Sequence, residues 1–311
     1  MADAPETFAG DNPAAELLRL IRGGWIAQAI SVAARLGLAD LLTDGPRSCA
    51  ELGVATGLPE NSVRRLLRAL ASVGVFAGVD GDRFEMTPLA ESLRSEAPGS
   101  LRATAIATGE IFIPAWGSLL PSLRSGQPEF AQRFGAEFFP YLAANPELGA
   151  WFQEGMTNLN AGTSAALPKA YDFSGVSCLV DVGGGNGSLL AAVLRDVPGI
   201  RGVLFDLPHV LAGARRNLTE AGVIDRCDIV GGSFFEGVPA GADVYALRWI
   251  LHDFDDGRAA RILRACRTAM EPDGRLLVLE QVMAEKDEPA AWSTAFFDLH
   301  MLSFSADGNG P

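Results

Sequence analysis

Asp181-Val-Gly-Gly-Gly-Asn-Gly-Ser188 decides how this chain is read. The apolar run Ser177-Cys-Leu-Val-Asp181 precedes it and Leu189-Leu-Ala-Ala-Val-Leu194 follows it, so the local order is strand, tight turn, helix. Glycines 183, 185 and 187 accept positive φ and carry no Cβ. A small molecule can therefore lie against bare main chain while the amides at the helix start point at it. The spacing is G-x-G-x-G, with Ser188 where a dinucleotide fingerprint has its third glycine. Alone, such a turn fits a nucleotide-type site or a purely structural bend.

A second run, Arg201-Gly-Val-Leu-Phe-Asp206, ends in an acid 19 positions after Gly187. In a βαβ unit that carboxylate stands at the neighbouring strand end, where it accepts hydrogen bonds from both hydroxyls of a ribose. The two features together predict a nucleoside-bearing cofactor. The alternation then continues with helix 210–221, strand 227–230, strand 244–247, helix 257–270 and strand 275–281. Strands alternating with helices predict a parallel sheet with ligands at its carboxyl edge. Asp181, Asp206, Ser233, Arg248 to His252 and Glu280 all fall at or just past such strand ends, and so are expected to converge on one crevice.

His252 is one of only three histidines and sits in Arg248-Trp-Ile-Leu-His-Asp-Phe254. A histidine beside the presumed cofactor fits a proton acceptor, against the plainer reading of a satisfied structural residue. Glu280, at the next strand end, is placed to hold the imidazole in the tautomer that leaves one nitrogen able to accept a proton.

The first half of the chain reads differently. Residues 1–13 form a disordered lead, and from Ala14 to Leu42 apolar residues recur at helical steps up to Gly37, a stripe of the kind that forms a dimer seam. Ser48-Cys-Ala-Glu51 has capping-box spacing, a short helix closes at Gly57, and a second helix spans 59–73. Val75-Phe76 and Arg83 to Met86 then bracket a hairpin turn, completing a winged helix-turn-helix pattern. That pattern serves DNA binding or dimerisation. Arg64, Arg65 and Arg68 favour the former, but the domain's acids and a net charge of −13 favour the latter, because the phosphate attraction that supplies most DNA affinity is missing. Residues 100–170 read as helical and aromatic-rich, with a hinge at Pro168 to Gly175, so the domains are drawn at 14–170 and 171–311.

At 311 residues and 48% hydrophobic content the chain supports two domains. Its acidity argues against nucleic acid or an anionic membrane as main partner, and no signal peptide or bilayer-length apolar span is present, so a cytoplasmic protein is expected. The four cysteines show neither metal-ligand pairing nor a disulfide framework; they are expected reduced, and no metal site is expected.

Taken in order, Asp181-Val-Gly-Gly-Gly-Asn-Gly, Phe205-Asp-Leu-Pro-His209, Gly231-Gly-Ser-Phe-Phe235, Arg248-Trp-Ile-Leu-His-Asp253, Glu271-Pro-Asp-Gly-Arg275 and Glu280 resemble the motifs of S-adenosylmethionine-dependent O-methyltransferases of the plant caffeate and bacterial polyketide-tailoring type. The resemblance spans nearly the whole chain. It implies an α/β Rossmann-like methyltransferase domain preceded by a mainly helical, winged-helix-containing dimerisation domain, and a homodimer acting on a small aromatic substrate. It implies that Gly183, Asp206, Ser233, Phe234 and Arg248 bind the cofactor, that His252 is the general base supported by Asp253 and Glu280, and that Met156, Trp249 and Met301 line the acceptor pocket. Two features depart from the family. Ser233 stands where an acid usually reads the adenine amino group, and the sequence ends at Gly308-Asn-Gly-Pro311 after five predicted strands, short of the family's last helix and strand pair. A relative repurposed for hydroxylation or decarboxylation is the second reading, and a winged-helix regulator the third.

Overall fold

The computed structural model describes residues 12–285, 288 and 290–304, and divides into two compact units. Among the described residues, the first comprises those up to Pro114 together with Pro146–Leu159, and the second Ala115–Asn145 with those from Asn160 onward. The sequence boundary at 170/171 therefore needs correction. Helix Ala161–Ala170 belongs to the second unit because Leu167 packs there with Phe173, Leu179 and Leu189. Helix Pro146–Leu159 belongs to the first because Gly155 lets it approach the backbone of Thr104, where an added Cβ would stand 3.3 Å from that backbone. Helical periodicity showed these segments but not the partners that bury them.

In the first unit the predicted long helix is broken into Pro13–Ile21, Gly23–Arg35 and Leu38–Leu41, interrupted at Arg22 and at Gly37, whose φ is +65°. The lead ends earlier than predicted: Asn12 already caps the first helix through its side chain, and residues 1–11 lie outside the described residues. Leu17, Leu20, Ile21 and Trp25 stay exposed, and Ile21, Trp25, Ala29, Val32, Leu66 and Ile113 line a shallow apolar depression of about 700 Å³.

The winged-helix reading is realised. Strand β1 (Arg47–Ser48) leads into helix Cys49–Thr56, whose Ser48/Glu51 capping box is complete; helix Glu60–Ala71 and strands β2 (Phe76–Gly78) and β3 (Arg83–Met86) follow, in sheet order β1-β3-β2. Arg64 of the second helix is clamped by Asp82 at 2.7 Å and by Glu60, so its charge is already paired with carboxylates.

The second unit is built on a five-stranded parallel sheet. Its strands are β4 (Cys178–Val182), β5 (Arg201–Asp206), β6 (Cys227–Gly231), β7 (Val244–Arg248) and β8 (Arg275–Leu279), in the order β6-β5-β4-β7-β8. Strand β4 is central and buried on both faces, which explains its continuous apolar run. Alternate residues serve two cores. Leu179, Leu204 and Ala246 pack with helix Ser188–Asp196, whereas Val180, Val182, Phe205, Tyr245 and Leu247 pack with helix Asp256–Ala269. Strand order reverses at β4, with β5 on one side and β7 on the other, and that reversal opens the crevice where such sheets take ligands. Among the described residues no single helix is long and apolar enough to cross a membrane.

Candidate active site

The glycine-rich turn leaves β4 at Val182 and enters helix Ser188–Asp196 through Gly187. Gly183, Gly185 and Gly187 have φ of +70°, +60° and +80°, the left-handed region that a side chain strains. At Gly183 a Cβ would also meet Ile250 Cδ1 at 2.5 Å and approach Phe234, whereas around Gly185 there is open space. Bare main chain thus forms the floor of the crevice, backed by Phe234 and Ile250.

Asp206 ends β5, and its carboxylate accepts the Gly185 N–H at 2.8 Å and its neighbour Leu207 N–H at 2.6 Å. Burial, partly offset by these two bonds, holds its pKa above the ordinary value of 3.8. Arg248 ends β7. Its guanidinium donates to the Ser188 hydroxyl at 3.0 Å and to Ser164, while burial lowers its pKa. Phe234 lies edge-on to Phe235 and Phe254, and the Ser233 hydroxyl accepts the N–H of Phe235 at 3.3 Å.

The chain then turns sharply. Trp249 has φ +56°, the one residue other than glycine with positive φ among those described. For a bulky side chain that conformation costs on the order of 1–3 kcal/mol and persists only where neighbours impose it. Glu280, just past β8, imposes it. One of its carboxylate oxygens accepts the N–H groups of Ile250 and Leu251, both at 2.9 Å, and the other pairs with His252 Nδ1 at 2.6 Å. The opposite ring nitrogen, Nε2, stands 3.6 Å from Asp253 Oδ1, and the His252 side chain is only 8% exposed. Burial alone would lower the imidazole pKa. The bond to Glu280 and the charges of Asp253 and Glu280 outweigh it, so the ring titrates above 6.5. Asp253 is pushed up to about 7, chiefly by burial.

Ten of the eleven site residues expected from sequence lie in this second unit, and the glycine-rich turn, Asp206, Phe234, Arg248, His252 and Glu280 are tied by the contacts above. Met156 is the exception: it sits on helix Pro146–Leu159 of the first unit and rests on the resemblance alone. Met301 is buried on helix Ala291–Phe304. The sequence reading missed Phe297 on that helix, whose ring lies 5.5 Å from the His252 ring and 5.2 Å from Trp249. Its signal was the four-residue step to Met301. It also missed Ser164 and Ser188 as the hydroxyls that fix Arg248. Among the described residues no cluster of three or more His, Cys, Asp or Glu is arranged to hold a metal.

Comparison with known proteins points to one family. Residues 116–310 match the model of an O-methyltransferase domain, and residues 18–96 that of an O-methyltransferase dimerisation domain. The phenazine O-methyltransferase PhzM of Lysobacter antibioticus is 45% identical over 286 residues, covering 92% of this chain and 83% of that protein. The 3-amino-4-hydroxybenzoate 4-O-methyltransferase of Streptomyces cremeus is 41% identical over 297 residues, covering 94% and 80%. Among solved structures, the O-methyltransferase NcsB1 from neocarzinostatin biosynthesis, in complex with S-adenosylmethionine and 2-hydroxy-5-methyl naphthoic acid, is 33% identical with a TM-score of 0.78, covering 91% of this chain and 85% of that one.

Proposed function

We propose that this chain, which belongs to the O-methyltransferase family with an N-terminal dimerisation domain, transfers a methyl group from S-adenosylmethionine to a hydroxyl of a small phenolic or polyketide-like aromatic, with His252 as general base. That it is a methyltransferase using this cofactor follows from the family. The hydroxyarene acceptor extends to this chain the hydroxybenzoate and the hydroxynaphthoic acid of its relatives. The exposed stripe at Leu17, Leu20, Ile21 and Trp25 falls in or beside the matched dimerisation domain and supports a homodimer.

The residues present fit the cofactor. The floor, Cβ-free at 183–185 and 187, admits its methionine portion, Asp206 is an acceptor for its ribose hydroxyls, Phe234 offers a face to its adenine, and Arg248 stands behind the turn as a fixed cation. When bound, the cofactor supplies an electrophilic methyl group on a sulfonium, which leaves as a neutral thioether.

The single observation that carries the catalytic reading is the grip of Glu280 on His252. With Nδ1 held by a carboxylate, the neutral ring keeps its proton on Nδ1 and presents the lone pair at Nε2. A phenol of pKa about 10 lies several units above an imidazole, so full deprotonation beforehand is uphill by about 5 kcal/mol. The proton therefore moves to Nε2 as the oxygen–carbon bond forms. Charge building on the ring is met by Glu280 and Asp253, and Trp249 and Phe297 flank it with aromatic edges that exclude water. A base positioned in this way contributes about 10²–10⁴-fold.

Incubation with methyl-labelled cofactor and a panel of hydroxybenzoates, hydroxynaphthoates and hydroxyphenazines tests the proposal. The expected result is an O-methylated product formed in step with S-adenosylhomocysteine, and a His252→Ala variant that binds cofactor normally but loses most turnover. Undiminished turnover in that variant removes the base; transfer to nitrogen alone removes the hydroxyl acceptor.

A further inference from the structure

Asp181 is a buried acid that the chemistry above does not use. It stands one residue before the end of β4, 1% exposed, on the sheet face that packs against helix Ser188–Asp196. The Leu190 N–H of that helix lowers the pKa of its carboxyl group, and Oδ2 has no hydrogen-bond partner among the described residues. The carboxylate presses on the turn from below: a Cβ built on Gly184 would stand 2.5 Å from Oδ2. The other ionisable groups around it are Arg248 from the end of β7, Asp206 from the end of β5 and the Cys227 thiol from the start of β6. Arg248 acts from a distance, its guanidinium being engaged by the hydroxyls of Ser164 and Ser188.

An orphaned oxygen at full burial is expensive, and folded proteins seldom keep one without use. Asp181 and Asp206 against Arg248 leave the floor of the crevice with one negative charge in excess. The two ligands that alternate here differ in charge by one: the cofactor is a sulfonium cation, and its demethylated product a neutral thioether of nearly the same shape. We propose that Asp181 is the buried counter-charge by which the site prefers the sulfonium cofactor to its thioether product, so that product is released and fresh cofactor taken up. The inference rests on the cofactor lying along the 183–187 turn.

A buried charge acting through low-dielectric protein is felt far more than through water, and a preference on the order of tenfold or more is expected. The preference requires the ionised form. Burial, the largest influence, pushes the Asp181 carboxyl up to about 6; Asp206 adds to the rise, and Arg248 and the Leu190 N–H oppose it. Above that value the anion is present and the cation favoured, and the preference fades as pH falls through it.

Isothermal titration of the full chain with S-adenosylmethionine and with S-adenosylhomocysteine, each read as Kd, tests this without turnover. Asp181→Asn keeps the shape and removes the charge. At pH 7.5 it is expected to weaken the sulfonium ligand about tenfold or more and to leave the thioether within threefold. Because His252 and Asp253 both titrate across this range, the pH series is run in the background His252→Asn with Asp253→Asn. There the sulfonium preference should drop between pH 7.5 and 5, and with Asp181→Asn added it should stay flat. Equal weakening of both ligands by Asp181→Asn, or a pH-independent preference in that background, overturns the inference while leaving cofactor binding intact. Failure of the unmodified protein to bind either ligand overturns the cofactor's placement and the inference with it. Should Asp181→Asn not fold, the pH series in the background that retains Asp181 decides: a flat preference overturns the inference.

Discussion

Replacing Glu280 by glutamine separates its two jobs. Its carboxylate accepts the N–H groups of Ile250 and Leu251 with one oxygen and pairs with His252 Nδ1 through the other. The amide oxygen of glutamine can keep the two backbone bonds, so the turn with Trp249 in its left-handed conformation survives. What is lost there is charge assistance, about 1 kcal/mol for each of two bonds. At 2–4 °C per kcal/mol this lowers Tm by roughly 4–8 °C. The amide nitrogen then faces Nδ1 as a donor, which forces the ring proton onto Nε2 and removes the lone pair from the nitrogen proposed to take the acceptor's proton. Turnover is expected to fall about 10²–10⁴-fold, or roughly 3–5 kcal/mol at 1.36 per decade, with the Kd for S-adenosylmethionine changed less than threefold. Glu280→Ala is different in kind. It strands both backbone donors at about 1–3 kcal/mol each and frees Trp249 to relax, so stability and cofactor affinity fall together with turnover. The assay is labelled methyl transfer to an accepted hydroxyarene, with calorimetric Kd and thermal unfolding measured on the same preparations. If Glu280→Gln turns over within threefold of the parent, the carboxylate does not set the imidazole's tautomer and the reasoning fails.

The carboxylates that hold the His252 pKa above 6.5 also set the pH profile: the neutral ring becomes available only as pH rises through that raised value. A kcat/KM profile should therefore climb across a midpoint above 6.5, while the stability this pairing lends, complete below 6.5, is lost over the same rise; a midpoint below 6 would contradict the geometry. Gly183→Ala places a Cβ at φ +70° and 2.5 Å from Ile250 Cδ1, and should cost about 1–2 kcal/mol of stability and weaken cofactor binding at least tenfold by titration; normal binding would show that the ligand does not lie on this floor. Trp25→Lys charges an exposed side chain of the apolar stripe and should shift the protein from dimer to monomer in sedimentation, with an unchanged dimer placing the seam elsewhere. With Arg64 tied to Asp82 and Glu60, no gel shift is expected with duplex DNA at physiological salt; a shift that weakens steeply as salt is raised would revive the regulator reading.

Local chemistry fixed much of this protein in advance. A β-branched run breaking into glycines at 183–187, acids at strand ends and a capping box at Ser48 act over a few residues, so their consequences are written in order along the chain. The parallel sheet, the winged helix and the company of Asp206, Arg248, His252 and Glu280 could be read that way. Tertiary packing decided the rest. Nothing local assigns helix Ala161–Ala170 to one unit and Pro146–Leu159 to the other; Leu167 and Gly155 do so only through the surfaces they meet. Nothing local puts a tryptophan at φ +56°, since that strain is sustained by Glu280, 31 positions away. Phe297 reaches the imidazole, and Asp181 is left with a bare oxygen under Gly184, because burial and long-range contact depend on which strands and helices become neighbours. Sequence spacing carries the first kind of information and not the second.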